Sequence, residues 1–113
     1  MVITTDAKNR IRDLLRADIS SAALGTGGTS ATSSDTDLET VIESTRKSPT
    51  ISTSNKTITI QHELLSTEGN GNTFREGGIF IDSDGILLDR FVYPDFDKTA
   101  ANELVTIDVI KID

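Results

Sequence analysis

Four stretches of the chain carry residue types that could do chemistry. Gly25-Thr26-Gly27-Gly28-Thr29-Ser30 is a glycine-rich run of the kind whose backbone N–H groups can cradle a phosphate. It lacks the lysine of a P-loop and follows no convincing strand, so it reads as a flexible or interface loop. Asp82-Ser83-Asp84-Gly85 has the opening of a calcium loop, but Leu87 and Leu88 stand where further oxygen ligands are needed. A hairpin turn accounts for its Asp and Gly residues, since both tolerate positive φ. His62 is the only histidine and the chain has no cysteine, so no common zinc site can be assembled. Arg75 beside Glu76 reads as an ion pair at a strand start. Ser and Thr are abundant, yet no Gly-x-Ser-x-Gly elbow is present. The residues argue against an enzyme, and they imply no cofactor and no metal.

Composition narrows the partners. A net charge of −7, from 18 acids against 11 dispersed Lys and Arg, argues against nucleic acid, whose phosphates demand clustered basic residues. No apolar run approaches the roughly 20 residues that span a bilayer, and the first residues lack the regions of a signal peptide. The expected site of synthesis is a cytoplasm, and no membrane is expected as a partner. The hydrophobic share of 35% implies a thin core that neighbouring subunits could complete.

The elements that must position these residues follow from periodicity. Ala7, Ile11, Leu14 and Leu15 fall at helical spacing, predicting an amphipathic helix over about residues 6–17 with Thr4 or Thr5 as N-cap. Residues 20–56 form a Ser/Thr/Gly-rich arm, with Leu38, Val41 and Ile42 as its apolar anchors, on a helical turn or at the start of a strand. Residues 57–65 alternate cleanly, with Ile58, Ile60, His62 and Leu64 on the apolar face. The densest apolar content lies in 74–93, predicted as a hairpin turning at 82–85, with Pro94 ending its second strand. The last segment alternates again, with Val105, Ile107 and Val109 on one face and Thr106, Asp108 and Ile110 on the other. The sum is mainly β: a single domain (1–113) with an N-terminal arm and one amphipathic helix (1–19), the Ser/Thr/Gly-rich arm (20–56) and a β core (57–113). Four to six antiparallel strands at this spacing predict a small antiparallel β-sandwich.

The order of features carries a resemblance. The stretch Ala23–Thr40, with Gly-Thr-Gly…Thr…Asp-Thr-x-Leu, is followed by Gly71-Asn72-Thr73-Phe74-Arg75-Glu76-Gly77-Gly78-Ile79-Phe80 and then Lys98-Thr99-Ala100. This resembles small virion proteins of tailed viruses of bacteria and archaea, in particular the baseplate-attachment domain at the start of tail-collar and tail fibres. The resemblance implies a non-enzymatic virion protein made in a host cytoplasm. Its implied partners are further copies of itself, in a trimer or ring, and other virion proteins. In such fibres a shaft and a receptor-binding tip follow this domain, whereas this chain stops at Asp113. An adaptor, fibre base, baseplate component or capsid decoration protein is therefore expected. A receptor- or carbohydrate-binding sandwich is the alternative. Interface residues are expected in the arm and turns: Leu24, Gly25, Gly27, Gly28, Leu38, Asn70, Asn72, Arg75, Glu76, Asp82 and Asp84.

Overall fold

The helix forms where its periodicity places it. In the computed structural model, which describes residues 1–113, α1 spans Thr5–Asp18, and the Thr4 hydroxyl accepts the N–H of Ala7 as its cap. Its apolar face is only partly used. Leu15 packs against the core, but Ile11 and Leu14 stay exposed and no residue of α1 is buried.

Seven strands follow, more than the four to six expected: β1 Ser21–Gly25, β2 Val41–Lys47, β3 Thr50–Ser54, β4 Thr57–Leu64, β5 Thr73–Ile81, β6 Ile86–Asp97 and β7 Leu104–Lys111. They form two antiparallel sheets, one ordered β2-β1-β5-β6 and the other β3-β4-β7. The architecture is a sandwich-like pair of sheets with one N-terminal helix, as the alternation required.

The core lies between the sheets. Ala22 and Ile79 from the larger sheet meet Ile58 and Ile60 from β4, with Ile19 closing one end. Leu24 and Phe74 meet Leu64 and Leu104 at the other end. Phe74, Ile58 and Leu64 are fully buried, and each such side chain contributes about 2–3 kcal/mol of transfer free energy. A third cluster, Ala23, Leu38 and Phe80, lies on the far face of the larger sheet. There the arm folds over β1 and β5 and makes a third layer.

Two expectations are corrected. The arm is not uniformly irregular: Ser21–Gly25 is a strand buried along its whole length, and of the two alternatives open for Val41 and Ile42 the strand start is the one found, since they open β2. Pro94 does not end β6, which runs on to Asp97. Phe74 pairs with Phe96 but Glu76 with Val92, so the extra residues around Pro94 form a bulge. β6 is an edge strand, where a missing N–H costs no ladder bond.

Candidate functional site

The largest polar constellation is built on the outer face of the four-stranded sheet. Glu76 on β5 is completely buried, and its carboxylate accepts four hydrogen bonds. They come from the N–H groups of Gly27 (2.9 Å), Glu39 (2.8 Å) and Thr40 (2.8 Å) and from Arg90 Nε on β6 (2.9 Å). Arg90 continues outward to the Asp35 carboxylate at 3.1 Å and the Thr29 carbonyl at 2.8 Å. The sheet thus grips the connection between β1 and β2 near both of its ends.

Electrostatics follow the geometry. Burial pushes the Glu76 carboxyl up, but the donors from Thr40, Arg90, Glu39 and Gly27 outweigh it and hold the group below the usual carboxylate range. Burial likewise works against the Arg90 charge, and Glu76 and Asp35 more than restore it. The Thr32 N–H leads in holding Asp35 below its ordinary value. The cluster is charged and saturated with hydrogen bonds.

This arrangement explains the glycines. A Cβ on Gly25 would collide with the Thr40 carbonyl oxygen, and one on Gly27 would collide with Glu39 Cβ. Both positions demand close backbone approach. The anion that a glycine-rich run might hold is supplied from within the chain, as the Glu76 carboxylate.

The expected interface residues therefore divide in two. Leu24, Gly25, Gly27, Leu38 and Glu76 are buried within the subunit and present no surface in this fold. Gly28, Asn70, Asp82 and Asp84 are exposed, and Asn72 and Arg75 half-buried. Arg75 and Glu76 are not partners, because neighbours on a strand point to opposite sides of the pleat or bulge apart. Arg75 pairs instead with Asp95 in the β6 bulge at 2.8 Å. Asn70 Oδ1 accepts from the buried Lys98 Nζ at 2.8 Å, and Asn72 Nδ2 donates to the Gly69 carbonyl. Residues 82–84 form one 3-10 turn closed by Gly85 at φ 66°, so the turn chemistry accounts for the sequence there.

Two further titratable sites sit between the sheets. His62 is buried and its Nε2 lies 2.6 Å from the Thr45 carbonyl. The acceptor fixes Nε2 as the protonated nitrogen, and Nδ1 is left without a partner. Burial lowers its pKa. Asp108 on β7 faces Asp89 on β6. Burial first, then the Asp89 carboxylate, raises Asp108 to about 7, and its Oδ2 has no hydrogen-bond partner. No three His, Asp or Glu side chains converge as a metal-binding group.

Sequence reasoning missed Arg90, Asp35, Asp89 and Lys98. Asp108 carried no signal either, since it alternates with Val105, Ile107 and Val109, whose apolar face the pattern would turn inward. Between β6 and β7 runs an open apolar groove of about 290 Å³, with Phe91, Tyr93, Phe96 and Leu104 among its lining residues. Among known proteins, the chain matches no family model and no curated sequence.

Proposed function

We propose that this protein is a non-enzymatic structural subunit of a tailed-virus particle, of the tail-fibre or baseplate kind. It acts by associating with copies of itself and with other virion proteins. One observation carries the reading: the polar clusters of this chain are spent on holding its own arm and turns, while a whole sheet face and an apolar strand edge stay bare. Glu76 and Arg90, the most buried ion pair, are engaged by the chain's own groups, and Arg90 meets only a small open polar depression of about 200 Å³ beside Asp35 and Asp89. The outward residues Val105, Ile107 and Val109 are 46%, 61% and 57% exposed, a contiguous apolar stripe of the sort that marks an interaction surface. The sequence resemblance to baseplate-attachment domains supplies the virion context.

The test is the absolute mass of the purified chain by light scattering behind size exclusion, at low and high salt. A discrete oligomer is the expected result, and a monomer under every condition overturns self-association. The groove lined by Phe91, Tyr93 and Phe96 favours a second reading, a receptor- or carbohydrate-binding sandwich. A glycan array separates the two, since a scaffold gives no specific signal.

A further inference from the structure

Two sheets have four edge strands, and three of them are blunted. β2 carries Glu43, Arg46 and Lys47 and slips register against β1. β3 is only five residues long, and two arginines of α1 reach to it and its turn, Arg12 donating to the Asn55 carbonyl and Arg16 to that of Ile51 at 3.5 Å. β6 contains Pro94 and two register shifts. These are the devices by which sheets avoid unwanted pairing. β7 is the least blunted: it carries Asp108 and Lys111, but it runs eight residues in unbroken register with β4, without proline and without a covering element.

The direction of its backbone groups follows from one bond. The Ile112 N–H donates to the Lys56 carbonyl at 2.8 Å, continuing the ladder in which Lys111 opposes Thr57. Bonded pairs alternate in an antiparallel ladder. Hence Leu104, Thr106, Asp108 and Ile110 point their N–H and C=O groups at β4. Val105, Ile107, Val109 and Lys111 point theirs at the open edge. Only the Val109 N–H has a partner there, its neighbour's Asp108 Oδ1 at 3.1 Å.

We propose that the open edge of β7 pairs with β7 of a second copy, antiparallel and two-fold, with Ile107 opposite Ile107 and Glu103 opposite Lys111. This deepens the self-association reading and rests on it. The register is selected by what it places together. Outward side chains must oppose outward side chains, so only shifts by whole residue pairs are open. Centring on Asp108 would set two carboxylates face to face, and centring on Thr106 would set Asp108 against Leu104. Centring on Ile107 sets Val105 against Val109, doubling the apolar stripe. It brings opposite charges together at both ends, Glu103 against Lys111. A two-fold interface of this kind closes at the dimer.

Light scattering of four chains at low and high protein concentration tests the proposal. The wild-type chain is expected at twice its 12.2 kDa, and Ile107→Lys, whose side chain is exposed in the subunit, as a folded monomer by circular dichroism. Glu103→Lys should weaken association about tenfold, and Glu103→Lys with Lys111→Glu should restore it. A wild-type monomer at both concentrations overturns the pairing and self-association together. An oligomer whose mass Ile107→Lys leaves unchanged overturns the β7 edge alone. An unaffected Glu103→Lys dimer overturns the register.

Discussion

The outer faces of the two sheets are finished in opposite ways. Over the four-stranded sheet the chain lays its own arm, seating Leu38 on Ala23 and Phe80 and fastening the arm with Glu76 and Arg90. Over the three-stranded sheet nothing is laid. Its outer surface is Thr50 and Ser52 on β3, Thr57, Thr59 and Gln61 on β4, and Val105, Ile107 and Val109 on β7. A loop rich in Ser, Thr and Gly buries little apolar area, so ordering it needs strong polar anchors. A flat face of short polar side chains needs no anchor in a lone subunit and remains available to another. The same composition thus produces a closed side and an open side, according to whether a buried charge pair is present.

The largest expected effect comes from breaking the closed side. Glu76→Ala leaves the Arg90 guanidinium buried without its main partner and strips three backbone N–H groups of their acceptor. Removing one member of a buried pair costs about 3–5 kcal/mol. Chemical denaturation should show that loss, and limited proteolysis should cut first between residues 26 and 40. If cleavage of the variant instead begins in β3 or β7, the arm is not held by this cluster. Gly27→Ala attacks the same seam sterically and should cost about 1–3 kcal/mol, because its Cβ would meet Glu39 and the Glu76 carboxylate.

These two residues also mark how far the sequence could be read. The alternation of β4, the apolar density of β5 and β6 and the cap of α1 were legible because each is a local pattern. β1 was not, because Ser-Ala-Ala-Leu-Gly is covered on both faces, by the arm and by the core, and such a strand shows no alternation. The arm's anchoring was hidden for another reason. Glu76 meets Arg90 14 residues on and Arg90 meets Asp35 55 residues back, separations at which spacing carries no signal. Arg75 drew attention as the adjacent cation, and the pleat and bulge sent it elsewhere.

Between the sheets a pH dependence sharpens the comparison. Asp108 titrates near 7 in the folded chain against an ordinary 3.8, so the fold holds a proton that the unfolded chain has released. The stability tied to that proton is fully present below 3.8 and is lost as pH rises through about 7. His62 works from the acid side. Its lowered pKa means stability is present above its ordinary 6.5 and is lost as pH falls through the folded value. Asp108→Asn should therefore raise thermal stability at pH 8 and leave the acid-side loss in place. Because Asp108 is half-buried rather than sealed in the core, the gain is about 1 kcal/mol. A melting temperature that responds equally at pH 5 and pH 8 would remove the carboxyl pair from the account.

The smallest effect is expected one residue from the largest. Arg75 and Glu76 are adjacent, and each forms an ion pair with a residue of β6 at 2.8 and 2.9 Å. Arg75 and Asp95 keep 38% and 63% of their side-chain surface in solvent, whereas Glu76 keeps none and Arg90 4%. Water already solvates the first pair, so Arg75→Ala should cost less than about 1 kcal/mol, even with its weak bond to the Thr26 carbonyl at 3.2 Å. Added salt should narrow the gap between wild type and Arg75→Ala while leaving the Glu76→Ala deficit intact, since screening reaches exposed charges and spares buried ones. If salt narrowed both deficits alike, the Glu76 cluster would be solvent-accessible, and the division into a closed and an open side would fail at its anchor.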